Sequence, residues 1–290
     1  MTPFQQKISK PIELPTMAKN IHVLMQSLDD DSLTYQQMAK VIKHYPDISA
    51  RLIFLANSSW SAPISPISNI EQACSRLGTS VVKSISIAIS ISNSFDPEKC
   101  HGFSTVHFWT TSMLVTEGAG LLASKLPNTT ADIEFEQTAQ TSGLLHNLGL
   151  LWLADKLPAE TAKAFQMVKD DPTLTLSAAL KQSVGADYCQ AGGLIGNQWK
   201  FPEILISVME HHPSRIYQGS SWEMVQLVGL AANMAFAVHK QSDEVATNIQ
   251  LEALGLDSST QQYIFQQLCK NFEKTQDLVK ILFKWRDKAR

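Results

Sequence analysis

Residues 143–153 read GLLHNLGLLWL, and His146 and Asn147 are the only polar break in that run. An imidazole and a carboxamide carried into an apolar interior need hydrogen-bond partners or a ligand, because each one left unpaired costs about 1–3 kcal/mol. The pair marks a buried polar site. A second pair, His211-His212, stands directly before Pro213, at what reads as the end of a helix. Imidazoles there bond the last free carbonyls and complement the helix dipole. Gly192, Gly193 and Gly196 crowd together, yet they follow no strand and fit neither the P-loop nor the dinucleotide fingerprint, so they speak for close helix packing. Nucleophilic catalysis has no foothold. No serine lies in G-x-S-x-G, and Cys74, Cys100, Cys189 and Cys269 stand far apart, without CxxC spacing or a local signature.

Helices must bring these side chains together, since almost every segment with a clear period shows the helical one. Met17, Ile21, Leu24, Met25 and Leu28 fall on one amphipathic stripe. Thr34 is placed to cap a helix from Tyr35 to Tyr45 that stops before Pro46, and Asp47 to cap the next, ISARLIFLANS, which Asn57 closes. Ser68 and Glu71 compose an S-x-x-E capping box ahead of EQACSRL, and Gly78 ends that helix. The segment Ser84 to Ser92, SISIAISIS, alternates as a half-buried strand would. A solitary strand cannot satisfy its backbone, so the reading is one helix capped by Thr79 and passing through Val81, Val82, Ile85 and Ile89.

Asp96 to Ser104 reads as a hinge. Beyond it helices are expected over Thr105 to Leu126, around His146 and Asn147, and from Pro158 toward Lys169, with a polar loop, LPNTTAD, after the first. More follow over Tyr188 to Trp199, Pro202 to His211 and Trp222 to Val238, and the tail from Asp257 to Lys288 is expected to fold as two short helices. Trp60, in the loop WSAPISPIS, is a candidate exposed contact for a protein partner. The fold class is all-α, with an amino-terminal helical part over residues 1–100, a helical bundle over 101–240 and a helical extension over 241–290.

Composition removes several functions. With 290 residues and 44% hydrophobic content the chain can fill a sizeable core. Its 24 basic and 27 acidic residues leave a net charge of −3, which gives no field to collect nucleic acid or an anionic membrane. Weakly polar stretches reach about a dozen residues, short of the roughly 20 a spanning helix needs. The amino terminus, MTPFQQKISK, lacks the apolar run of a secretion signal, so the expected place is the cytoplasm.

In this order, several motifs resemble the HDOD family, the HD-related output domain of bacterial signalling proteins. They are Leu14-Pro15, YPDISARLIFLANSS, IEQACSRLG, Phe108-Trp109, GLLHNLG, Trp199-Lys200-Phe201-Pro202 and His211-His212, and they cover roughly residues 14–212. The resemblance implies a carboxy-terminal half related to the HD phosphohydrolase bundle. Catalytic HD enzymes hold metal through histidines and aspartates spread over several helices, and the metal activates a water. Here the aspartate of the central pair is Asn147, and Thr111 stands where a histidine would follow Trp109. Tyr188 replaces a histidine ahead of Gly192, and Asn233 a late aspartate. His211 and His212 match the paired histidines of HD-GYP phosphodiesterases, but Pro213 follows them in place of an acidic residue.

On that resemblance Thr111, His146, Asn147, Tyr188, His211, His212 and Asn233 line one vestigial pocket. Losing even an outer partner of a metal ligand costs about 10–100-fold in affinity or activity. No cofactor is therefore expected beyond an adventitious divalent metal, such as zinc or nickel on His146, His211 and His212. The reading is a stand-alone, non-catalytic signalling or regulatory module that acts on a partner protein, with no receiver, GGDEF or other companion domain legible. Two rivals stand beside it: a metal-dependent phosphohydrolase acting on a nucleotide or cyclic dinucleotide, and a sensor that binds a nucleotide in the pocket without hydrolysing it.

Overall fold

A computed structural model of the chain describes residues 17, 19–28, 33–58, 60–61, 65–127, 133–242 and 249–283. Leu14-Pro15, the amino-terminal MTPFQQKISK, residues 62–64 of the Trp60 loop and residues 128–132 of the LPNTTAD loop lie outside the described residues. Everything regular among the described residues is helical.

The amino-terminal part comprises α1 (Lys19–Leu28), α2 (Tyr35–Ile42), α3 (Pro46–Ala56), α4 (Ile70–Leu77) and α5 (Thr79–Ser92). Thr34 caps α2 in a reciprocal box with Gln37. Three expected caps differ. Pro46 itself opens α3, since a proline has no N–H to lose at the first position, and Asp47 falls in the first turn. Asn69, not Ser68, caps α4, accepting the Gln72 N–H at 2.8 Å. Asn57 closes α3 and clamps the following loop, donating to the Ile67 carbonyl at 2.7 Å and accepting the Ile67 N–H at 2.7 Å. Gly78, at φ +85°, turns the chain out of α4 and into α5. The alternating segment is helical, as expected, but Gly78 holds the N-cap position with no side-chain cap, and Thr79 is the first helical residue. Ile85, Ile87, Ile89 and Ile91 are all buried, together with Ser86 and Ser90. A helix buried on every side has no preferred face, so its sequence is free to alternate.

A 3₁₀ turn, Pro97–Lys99, leads on, with Phe95, Pro97 and Cys100 buried around it. The second part comprises α6 (Thr105–Ala123), α7 (Ile133–Leu145), α8 (Leu148–Lys156), α9 (Pro158–Asp170), α10 (Leu176–Ser183), α11 (Tyr188–Gln198), α12 (Glu203–His211), α13 (Trp222–His239), α14 (Ile249–Leu254) and α15 (Ser258–Phe283). Helix α6 is the axis, contacted by α7, α13 and α15, while α8 packs on α11 and α11 on α12. One core joins the amino-terminal helices to α8, α11 and the end of α15, and a second fills the space between α6, α13 and α15.

The tail is the clearest departure from expectation. In place of two short helices, Ser258–Phe283 is one helix of 26 residues. No glycine or proline interrupts it, so nothing in the chain stops propagation. It runs back to the amino-terminal part, where Arg51 Nη1 donates to the Leu282 carbonyl at 2.7 Å and the Phe283 ring stacks on Trp109 with centroids 5.0 Å apart. Lys274 covers the Trp60 ring at 4.9 Å, so Trp60 is half-buried against this helix and is not the freely exposed contact expected. Among the described residues no helix is long and apolar enough to cross a membrane.

Candidate functional site: a buried histidine pair

His146 and Asn147 do not lie within a helix, as the sequence suggested; they are the turn between α7 and α8. Asn147 sits at the N-cap of α8 with no side-chain cap hydrogen bond, and its carbonyl accepts the Leu150 N–H at 2.9 Å. The break lets the first turn of α8 press against α11. A Cβ at Gly149 would collide with the Tyr188 carbonyl and the Gly192 backbone, so only glycine permits this approach. At the far side α13 crosses the end of α12 equally closely, for a Cβ at Gly229 would collide with the His212 carbonyl. Between these contacts two imidazoles are enclosed, His146 at 1% exposure and His212 at 3%. Their ring centroids are 4.9 Å apart at 87°, edge to face, and Tyr188 stands 5.9 Å from His212.

Both rings are oriented by their own helices. His146 Nδ1 donates to the Gly143 carbonyl at 2.6 Å, and His212 Nδ1 to the Val208 carbonyl at 3.0 Å. With the proton on Nδ1, each Nε2 carries the lone pair. Burial pulls the pKa of His146 down to about 4. Burial and then the neighbouring His146 pull His212 down to about 3, so both rings are neutral near pH 7. Burial also pushes up the Tyr188 phenol and the Cys189 thiol, which makes Cys189 a poor nucleophile.

Asp187 is the carboxylate whose charge reaches His212. Burial works against its ionisation, but the Gln190 N–H at 2.9 Å, the Ser177 hydroxyl at 2.7 Å and Lys181 at 3.0 Å hold its pKa below the usual range. Those partners use its charge. A resident zinc takes three or four protein ligands and a hard divalent ion wants carboxylates. The pair offers two imidazole nitrogens and a phenol. Among the described residues no group of three or more His, Cys, Asp or Glu side chains is arranged to hold a metal, so this donor set does not fit the metal centre that the HD resemblance implies.

The sequence pattern of the HDOD domain matches residues 14–214. The chain belongs to the HDOD family. No curated protein matches this HDOD chain. Among solved structures it is similar to a candidate signal transduction protein from Marinobacter aquaeolei, with a TM-score of 0.81 and 20% identity over 95% of this chain. It spans 61% of that protein's length. It also resembles an HDOD domain protein of unknown function from Geobacter sulfurreducens, with a TM-score of 0.73 and 18% identity over 97% of each chain. A candidate phosphohydrolase from Shewanella amazonensis follows at 0.71 and 23% identity, covering 96% of this chain and 97% of that one. At these identities the likeness is one of fold.

The expected pocket of this HDOD protein divides. His146, His212 and Tyr188 meet, Asn147 follows His146 in the same turn, and Thr111, His211 and Asn233 find other partners. His211 stacks on Tyr217 with centroids 4.4 Å apart, and its Nε2 lies 3.7 Å from Glu210. Successive residues on a helix point about 100° apart, so turning His212 inward turns His211 out, and the three imidazoles do not converge. Thr111 belongs to another cluster. Its hydroxyl donates to the His107 carbonyl at 2.9 Å, which leaves the oxygen to accept the Nε2–H of His239 at 2.9 Å. His107 and His239 lie with ring centroids 4.1 Å apart. Asn233 donates to Gln250 Oε1 at 3.2 Å, within a buried carboxamide network. The His107–His239 pair escaped the sequence reading. The spacing of His107 and Thr111 shows a shared helix face, but nothing local brings in α13.

Proposed function

We propose that this HDOD protein is a non-catalytic bacterial signalling module that works in the cytoplasm through contacts with a partner protein. The observation that carries this is the chemistry of the enclosed pair: two neutral imidazoles and a phenol, with Asp187 already committed to Ser177, Lys181 and a backbone amide. Without a tightly held cation a water keeps its proton near neutral pH, and hydrolysis of a phosphoester lacks its nucleophile. Membership of a family of signalling output domains and the fold shared with a candidate signal transduction protein support the regulatory half. Four cysteines outside any disulfide, three of them buried, suit a reducing compartment.

The test is a phosphodiesterase assay of the purified chain with cyclic dinucleotides, nucleoside phosphates and a generic phosphodiester, with added manganese, beside metal analysis of the fresh protein. The expected result is no turnover above background and metal well below one equivalent. Turnover by the unmodified chain that His146→Ala abolishes would overturn the proposal. Asn147→Asp with Tyr188→His is the restoring variant to compare. Thr111→His is left out because Thr111 faces His239 and not His146.

A further inference from the structure

His107, in the first turn of α6, and His239, the last residue of α13, hold ring centroids 4.1 Å apart with the ring planes at 44°. We propose that this pair binds one divalent transition-metal ion through a nitrogen of each ring, with water completing the coordination. The site shares no residue with the enclosed His146–His212 pair and is not the centre that the HD resemblance implies. The proposal goes beyond the signalling reading and does not rest on it.

The spacing suits two neighbouring positions on one ion. Imidazoles that meet an ion at a right angle, each nitrogen about 2.0–2.1 Å away, have ring centroids about 4.5 Å apart. The pair stands within a few tenths of an ångström of that. His107 is exposed and its ring makes no hydrogen bond among the described residues, so it can turn a nitrogen toward its neighbour.

His239 is already prepared as a ligand. Its Nε2–H donates to Thr111 Oγ1 at 2.9 Å, and that hydroxyl uses its own proton on the His107 carbonyl at 2.9 Å. The tautomer is thereby fixed, with the lone pair on Nδ1. Among the described residues Nδ1 has no hydrogen-bond partner, yet it is not one of the polar atoms closed off from solvent. A metal-bound imidazole almost always gives its other N–H to an acceptor in this way, which orients the ring and raises its basicity. Phe272 of α15 stands at right angles to the His239 ring, centroids 5.2 Å apart, and holds it from the third side.

Protons do not compete for these nitrogens near pH 7. Desolvation lowers the pKa of both rings, and His107 adds to the effect on His239, which falls to about 4. Imidazole selects copper, nickel and zinc over magnesium and calcium, and copper binds tightest of these. Among the described residues no third His, Cys, Asp or Glu joins the pair to hold an ion. A site of two neutral ligands exchanges its ion and need not retain one through purification.

The test is calorimetric titration of the full chain with copper(II), nickel(II), zinc(II) and magnesium near neutral pH, beside electron paramagnetic resonance of the copper form. The tightest equivalent of copper should bind saturably and show splitting from two imidazole nitrogens, with nickel and zinc weaker and magnesium silent. His107→Ala, a change at an exposed side chain, should weaken that equivalent by more than about tenfold and leave one imidazole nitrogen in its spectrum, while the circular dichroism spectrum is unchanged. Thr111→Val, which releases the His239 tautomer, should weaken it by about tenfold, the scale of losing an outer partner. No saturable copper binding at millimolar concentration overturns the proposal, as does magnesium binding as tightly as copper. So does a tightest equivalent with fewer than two imidazole nitrogens in the unmodified chain, or an affinity indifferent to His107→Ala or to Thr111→Val.

Discussion

His146 and His212 are held as neutral rings, and acid is what would charge them. Their folded pKa values, about 4 and about 3, lie below the ordinary value near 6.5. Between those limits the unfolded chain binds more protons than the folded one, so stability falls as pH falls. The contribution is complete above about pH 6.5 and is lost progressively toward pH 4, at up to about 1.4 kcal/mol per pH unit for each ring. Urea midpoints measured from pH 7.5 to 4.5 should show that slope, and His146→Leu with His212→Leu should flatten it. His239, pulled to about 4 by burial and by His107, adds a slope of the same sign that the double variant leaves in place. An unchanged profile in the double variant would place the sensitivity elsewhere. A separate expectation concerns Thr111→Val, which removes the acceptor of the half-buried His239 Nε2–H and should cost about 0.5–1.5 kcal/mol in the same measurement.

At the scale of helices, glycines decide who touches whom. Gly149→Ala forces a methyl into the backbone of α11, and Gly229→Ala forces one into the His212 carbonyl. Neither obstacle can step aside, so each variant should lose at least about 1–3 kcal/mol in urea unfolding. Gly193→Ala is the contrast. There the added carbon meets the Glu210 side chain, which can swing toward solvent, so the loss should be smaller. An equal loss at all three positions would refute this account. That Gly192, Gly193 and Gly196 serve close packing was legible in the chain, as were the Thr34 cap and the Gly78 stop. Which helix each glycine meets was not, because composition marks a close approach without naming its partner. The histidines show the same division. A polar break in GLLHNLGLLWL announces burial from local sequence, and the pairing of His146 with His212 agrees with the expected meeting of their helices. The turn at His146 and Asn147, and the departure of Thr111 and His211, depend on how α8 and α13 lean on their neighbours.

Across the whole molecule, the last described residues secure the first helices. Leu278, Val279, Leu282 and Phe283 belong to the same core as Ile21, Leu24 and Leu52. Arg51→Ala should therefore act at a distance, leaving the Leu282 carbonyl unpaired and costing about 1.5–3 kcal/mol, the range for a hydrogen bond to a charged group. Hydrogen exchange should register the loss in α3 and in the last turns of α15 together, whereas a change confined to α3 would show that the helix end is held by packing alone. This closure also constrains biosynthesis. A nascent chain that has emerged only as far as the start of α15 has made α1 to α5 but cannot yet bring α15 onto them, so apolar faces that depend on it stay open until Phe283 is out. Maturation of the first helices then waits for the emergence of α15, and a nascent chain arrested short of Phe283 is the form that chaperones should hold longest.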